Sequence, residues 1–417
     1  MKIRFQKVDG TSTAFRAALV ILSALCLLGL WATWQMMEHG LYLSGMNQRV
    51  PWGMQIIMAV FYIGLSAGSL IVSGLYGVFG KIDYKPFARL AAYIAMLFLI
   101  AGLLSILTDQ GRMDRVFKEP FHHFNLRSMF SINPSLYSGH IALCVLYLYA
   151  LFKEKPRLTK FAAVTVVCWA IGVHSGTAAI FGFVPRELYQ SPLLPASFVA
   201  AALASGAGFM IVLLHVLFRA TKRRLDDGLL IWLGRLMRVF IIVVCYLILV
   251  ENLHRFYLVE SREAAHHFLF VGLHGVLFWI GMFIIGFVVP LVILYSRRGN
   301  ELKWVVTAGV LVVFGVLCER YIIVIPGLIH PPDLFPGMEI VASPFEEWAT
   351  SYSISGLEAL QALGVMAAWG LLFLLGIKHM SLVPTEARVL TETRVIELEE
   401  EEEAGRNRLR AREGAKA

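Results

Sequence analysis

The stretch PFARLAAYIAMLFLIAGLLSILTDQGR, residues 86–112, decides the architecture. From Leu90 to Thr108 it carries no charged residue, and then Asp109 and Arg112 follow within four positions. A helix rises about 1.5 Å per residue, so a run of this length crosses a hydrocarbon core about 30 Å thick. Nothing in it alternates with a period of two, which a transmembrane strand requires. Runs of the same kind recur along the chain. Length and apolarity predict about ten membrane spans, at 14–37, 52–79, 86–108, 132–152, 159–183, 193–218, 229–252, 268–295, 303–327 and 356–377. The expected fold is therefore an all-α polytopic membrane protein.

Composition agrees. Of 417 residues, 58% are hydrophobic and 16% are charged, where a soluble domain is nearer half and about a quarter. The first span is longer than a signal-peptide core of about 7–15 residues and lacks a small-x-small cleavage site, so it reads as a retained helix. Leu25 stands before Cys26 where a lipoprotein signal places a small residue.

Basic residues orient the chain. Lys2, Arg4 and Lys7 precede the first span, and Lys81, Lys85 and Arg89 lie between the second and third. Lys153, Lys155, Arg157 and Lys160 follow the fourth; Arg219, Lys222, Arg223 and Arg224 follow the sixth; Arg297, Arg298 and Lys303 follow the eighth. Alternate short loops are thus basic, which assigns them and both termini to the cytoplasm. A bacterial inner membrane is the expected setting. Residues 109–131 break the rule, because Arg112, Arg115, Lys118 and Arg127 lie in an outer loop; a job done by those side chains is the better explanation. The net charge of +8 is mostly topology, so no nucleic-acid partner is inferred from it.

The expected layout is a cytoplasmic N-terminus at 1–13, a membrane domain at 14–383 and a charged cytoplasmic tail at 384–417. Outer loops 109–131 and 328–355 exceed the usual 2–8 residues of helix connections and offer a docking platform for a soluble partner. Pro331, Pro332, Pro336 and Gly337 make the second irregular, and Ser343–Trp348 reads as a short capped helix at the interface. In the tail, Glu399–Glu403 followed by four arginines is a solvated charge run without chemistry. Cys26, Cys144, Cys168, Cys245 and Cys318 are scattered through the spans with no C-x-x-C pair, which argues for packing and against an iron–sulfur cluster in this chain. No nucleotide-binding motif is present.

Ionisable residues inside the spans carry the functional argument. Each costs roughly 2.5–3.5 kcal/mol on insertion scales and by default marks an ion, proton or substrate site. Asp109, His140, His174, Glu251, His274 and Glu319 all fall in the outer half once the chain is threaded. At about 1.5 Å per residue, His140 and His174 lie roughly 12–13 Å below the outer surface and His274 about 9 Å. Acids, imidazoles and guanidiniums thus surround a shallow outward-facing volume, suited to hydrogen-bonding a quinone's two oxygens and exchanging its two protons. His215, Arg235 and Arg238 in the inner half are close enough to the surface to snorkel. The histidines also admit axial ligation of b-type haem, since His140 and His174 match in depth. A cytochrome that stacks two haems across the bilayer needs a second pair in the inner half, which His215 alone does not supply.

Several segments carry a resemblance. Arg49-Val50-Pro51-Trp52-Gly53-Met54, Gly64-Leu65-Ser66-Ala67-Gly68-Ser69, Asp109-Gln110-Gly111-Arg112, His174-Ser175-Gly176-Thr177 and Ser191-Pro192-Leu193-Leu194-Pro195 resemble, in order and spacing, segments of the polysulfide reductase membrane-subunit (NrfD/PsrC) family. Glu251-Asn252-Leu253 and Glu319-Arg320-Tyr321 match more loosely. Met113 replaces a proline common in the family, and near the position where hydrogenase-type members carry glutamate the imidazole of His140 stands in, which resembles the branch of the quinone reductase complex (Qrc) and alternative complex III.

The resemblance implies two four-helix bundles plus flanking helices and no haem or iron–sulfur cluster in this chain. It further implies a subunit that exchanges electrons between menaquinone or ubiquinone and an adjacent iron–sulfur protein, within a larger complex that includes molybdopterin-type or cytochrome c subunits. On this reading His140 and Asp109 are the catalytic candidates, Arg112 holds Asp109 ionised, and His174 and Arg186 line the approach. Glu251, Glu319 and His274 extend a proton route, and the partner docks on the periplasmic face. A transporter or proton channel without redox chemistry is the alternative that Gly64–Gly68 and Gly206–Gly208 keep open, because broken glycine-rich helices mark transport sites.

Overall fold

The computed structural model describes residues 3–116, 124–330 and 351–387. The expected interfacial helix at 343–348, most of the loop 328–355, Lys118 and the tail beyond 387 lie outside the described residues. Eleven long helices dominate: α1 Thr13–His39, α2 Met54–Gly77, α3 Ala88–Asp109, α4 Met129–Phe152, α5 Pro156–Gly182, α6 Leu194–Ala220, α7 Asp227–Tyr257, α8 Val259–Phe270, α9 Gly272–Tyr295, α10 Leu302–Val324 and α11 Gly356–His379. All except α8 are long and apolar enough to cross a membrane, and these ten match the predicted spans to within about five residues at each end.

Local chemistry starts these helices. Ser12 accepts from the Phe15 N–H to cap α1, and Asp226 accepts from the Gly228 N–H to cap α7. Proline occupies the first turn of α5 and α6, where its missing N–H costs nothing. Ser355 and Glu358 form a reciprocal capping box at α11. The one boundary that differs in kind is at the eighth span, predicted from residue 268. Residues 259–270 instead form the separate helix α8, because Val271 is extended and Gly272 turns with φ +66°, a conformation that glycine adopts freely. Within α9, Leu277–Val288 is π-helical, a widened turn frequent at functional sites.

Helices α2 to α5 pack as one four-helix bundle, and α6, α7, α9 and α10 as a second. The α2–α6 contact joins them, and α1 lies outside, held chiefly by α11. Two glycine contacts fix these seams. A Cβ on Gly68 of α2 would sit 2.6 Å from the Gly206 Cα of α6, and one on Gly29 of α1 would sit 2.5 Å from the Gly364 Cα of α11. Small residues that let backbones touch are the usual glue between helices in lipid. Helix α2 runs unbroken through Gly64 and Gly68; Gly68 serves close packing, while a Cβ on Gly64 would meet open space. The broken-helix geometry that favours a transporter is not found at them.

Both ends of the described chain meet on one face, beside the basic connections. Strand β1 (Phe5–Gln6) pairs antiparallel with β3 (Val383–Pro384), and β2 (Arg224–Leu225) pairs parallel with β4 (Glu386–Ala387). The Arg223 guanidinium stitches the three segments by donating to the carbonyls of Val383, Pro384, Gln6 and Lys7. This face is called the basic face below.

Candidate functional site

Three buried polar clusters lie toward the face opposite the basic one. The first is inside the α2–α5 bundle. His140 of α4 is 1% exposed and neither ring nitrogen has a hydrogen-bond partner among the described residues. His174 of α5, its electrostatic neighbour, is also buried. Its Nδ1 lies 2.9 Å from the Ala170 carbonyl, while Nε2 is unpartnered. A carbonyl only accepts, so Nδ1 carries the proton and Nε2 of the neutral ring presents a lone pair. Around the pair, Asn133 donates to the Met129 and Gly176 carbonyls, and the Tyr137 and Thr177 hydroxyls share a 2.9 Å bond. These bonds fix α4 against α5; among the described residues the three ring nitrogens, with Asn133 Oδ1, Tyr62 Oη and Ser105 Oγ, are left without a hydrogen-bond partner. A buried polar atom left unsatisfied costs about 1–3 kcal/mol, so three such ring nitrogens in one bundle call for a ligand or a proton-handling role.

The second cluster lies in the other bundle. Arg255 donates to Glu251 Oε1 at 2.7 Å, one turn back on α7, and to the Leu188 carbonyl at 2.8 Å. Glu319 and Arg320 of α10 are buried as an ion pair at 3.9 Å, too long for a hydrogen bond, so among the described residues Glu319 Oε2 and all three Arg320 nitrogens are without one. The Arg320 guanidinium rests 4.2 Å over the Phe198 ring of α6, which supplies part of the attraction that water would. Ser197, Glu251, Arg255 and Glu319 line a narrow cavity of about 40 Å³, room for a water or two.

The third cluster closes the outer end of α3. Asp109 is buried, its Oδ1 has no hydrogen-bond partner among the described residues, and it faces the Gly53 N–H and the carboxylate of Glu358. Glu358, 1% exposed, accepts from the N–H groups of Gly45, Met54 and Ser355 and from the Tyr352 hydroxyl. Gln55 donates to the Glu358 carbonyl and to Gln361, which donates to Thr33 of α1. Burial, and then the Glu358 carboxylate, push the Tyr352 phenol well above its ordinary value, so it stays a donor.

The structure therefore groups the sequence candidates differently from a single shell. His140 and His174 come together, as do Glu251 and Glu319. No hydrogen bond or ion pair joins Asp109 to His140 among the described residues. Arg112 is exposed just past Asp109. Arg186 donates to the Gly327 carbonyl at 3.0 Å, and with Glu187–His330 at 3.1 Å it ties the α5–α6 connection to the end of α10. His274 stacks on Tyr321, ring centroids 5.9 Å apart. Sequence reasoning missed Gln55, Tyr137, Tyr352, Glu358 and Gln361. Glu358 had a signal, the Ser355-x-x-Glu358 capping box; the others had none.

Ten spans, eight of them in two bundles with buried imidazoles in one and buried ion pairs in the other, define a polytopic membrane protein built around internal titratable sites. The chain belongs to the polysulphide reductase, NrfD family, which matches residues 42–332. It is 38% identical to an Hdr-like menaquinol oxidoreductase integral membrane subunit of Archaeoglobus fulgidus, over 93% of this chain and 98% of that protein. It is 27% identical to a selenate reductase subunit of Mesobacillus selenatarsenatis, over 82% of this chain and 90% of the relative. The menaquinone reductase integral membrane subunit of Nitratidesulfovibrio vulgaris is 22% identical over 80% of this chain and 86% of its own length.

Proposed function

We propose that this chain is the quinone-reactive membrane subunit of a multi-subunit oxidoreductase, exchanging electrons between menaquinol or ubiquinol and an adjacent iron–sulfur subunit. The observation that carries the reading is the buried His140–His174 pair, three of whose ring nitrogens have no hydrogen-bond partner among the described residues. Two relatives named for menaquinol and menaquinone support the substrate class. Oxidation of a quinol releases two electrons and two protons. The electrons pass to the iron–sulfur partner, and the protons need acceptors, for which neutral imidazoles serve.

In this scheme His140 hydrogen-bonds the head and takes a proton, with His174 beside it. Asp109, beside the Glu358 carboxylate and the Gly53 N–H, is the second proton-exchanging group, Arg112 lies at the mouth of the site, and the bonds of Glu358 hold the surroundings. Arg186 fixes the loop over the approach. Glu251, Glu319 and His274 carry protons through the second bundle. The basic face, with both termini, is assigned to the cytoplasm of a bacterial inner membrane. The iron–sulfur subunit, with further molybdopterin-type or cytochrome c subunits, then docks on the periplasmic face, over 109–131 and 328–355.

The test is purification of the chain with its native partners. Quinol-dependent reduction of a co-purified iron–sulfur centre, with crosslinks from that subunit to 124–128, is expected. Crosslinks to 81–89 or 221–226 would invert the orientation, and a preparation inert to every quinol would remove the function.

A further inference from the structure

A second feature reaches His174 from the lipid side. A groove of about 300 Å³ runs along the floor formed by α2 between walls from α5 and α6. Ala67, Ile71 and Gly74 of α2, Ala170 and His174 of α5 and Ala202 of α6 lie along it. These positions recur at three- and four-residue spacing, so each helix presents one stripe to the groove. Phe79 lines its basic-face end and is 74% exposed, and Ile171 on its wall is 51% exposed, so the groove opens sideways to the bilayer. From Ala67 to Phe79 the floor measures about 18 Å at 1.5 Å per residue. Among the described residues His174 is its sole polar side chain, and His174 Nε2 is buried without a partner.

We infer that this groove holds the polyprenyl chain of a membrane quinone, with the quinone head at His174 and the chain running along α2 toward the basic face. The inference rests on the quinone reading above and specifies its bound orientation. The lining chemistry selects the occupant. An acyl chain of a phospholipid enters methyl end first and leaves hydrocarbon against the imidazole, so Nε2 stays unsatisfied. A quinol brings a hydroxyl that donates to Nε2 at that end and places its apolar chain on the rest. A small polar solute gains nothing from an apolar trough about 18 Å long, since the favourable term along it is burial of hydrocarbon. The floor is also kept low: a Cβ on Gly74 would meet only Val167 Cγ2, at 3.6 Å. A larger side chain there enters the groove without displacing backbone.

The experiment uses the intact complex. Gly74→Leu is compared with wild type for turnover of a long-chain menaquinol and of tail-less menadiol. Gly172→Leu on α5, which faces open space away from the groove lining, controls for the added bulk. The expected result is that Gly74→Leu raises KM for the long-chain quinol at least tenfold relative to KM for menadiol, and Gly172→Leu does not. In parallel, a long-chain quinone carrying an azide at the tail terminus is photolysed in the wild-type complex, which needs no variant to fold. Labelling of the 74–79 segment supports the inference. An unchanged KM ratio in assembled Gly74→Leu, labelling confined to other helices, or phospholipid retained in the groove in place of quinone would each overturn it. A wild-type complex inert to both quinols would instead sink the quinone function, a separate outcome.

Discussion

The two four-helix bundles solve the problem of burying polar groups in opposite ways. In the His140–His174 cluster of α2–α5 the ionisable groups are imidazoles, able to be neutral, and their free valences are left open while the Asn133 amide donates to backbone and Tyr137 and Thr177 bond each other. In α6–α10 the groups are carboxylates held against guanidiniums, Glu251 by Arg255 and Glu319 by Arg320. A neutral ring with an open lone pair receives a hydrogen-bonding ligand cheaply. A buried ion pair does not, because removing either partner strands a charge. The proposed function uses this difference, with ligand recognition in the first bundle and proton handling in the second, and that division can be broken by experiment.

The largest effect is expected from Arg320→Ala. Arg320 is fully buried and is the neighbouring cation of Glu319. Removing one partner of a buried pair costs about 3–5 kcal/mol, so assembly yield and thermal midpoint should fall together. Replacing both, in Glu319→Gln/Arg320→Met, should recover much of that loss, because neither charge is stranded. An Arg320→Ala complex as stable as wild type would show that the second bundle is not held by its charges.

His140→Ala should do the converse, leaving assembly intact while lowering quinol turnover per assembled complex about 10²-fold if the imidazole also transfers the proton. No partner among the described residues loses a bond, since His140 has none there. Wild-type turnover in this variant would take His140 out of the site, and loss of stability in proportion to activity would make it a packing residue.

Glu251→Gln keeps the shape and removes the charge that Arg255 pairs with. Quinol turnover measured with a detergent-solubilised complex should drop only a few-fold, whereas proton movement per electron in liposomes should drop more. Equal losses in both assays would place Glu251 in the electron-transfer site and erase the division between the bundles.

Much of this was legible before any coordinates. Every span was visible because about 20 consecutive apolar residues admit few other fates, and the buried positions of Asp109, His140, His174, Glu251 and Glu319 follow from their places along those spans. What escaped was whatever depends on distant segments. Glu358 sits in the first turn of α11, where a capping box alone accounts for it; its bonds to Gly45 and Met54 come from more than 300 residues away. The two-residue strands that join the termini have no periodicity to read. Helix α8 was hidden because its sequence, with Glu260, Arg262, Glu263 and two histidines, looks like a loop, and only Gly272 separates it from the span that follows.

The smallest effect tests the third cluster, which borders the first bundle and is built like neither. Tyr352→Phe removes one of the four donors to Glu358. The other three remain, so the loss should be near the lower range for a hydrogen bond to a charged group, about 1.5 kcal/mol. Its signature is in the pH dependence. Burial raises the Tyr352 phenol in the folded protein, while in the unfolded chain it titrates near about 10. The folded state therefore holds this proton more tightly. The stability it contributes is fully present below the unfolded value and declines as pH rises past it. Wild type should lose thermal stability between neutral pH and about pH 11 faster than Tyr352→Phe does, the other tyrosines being common to both. Parallel alkaline losses in the two proteins would mean that Tyr352 is solvated, and that the bonds around Glu358 do not hold the outer end of α3.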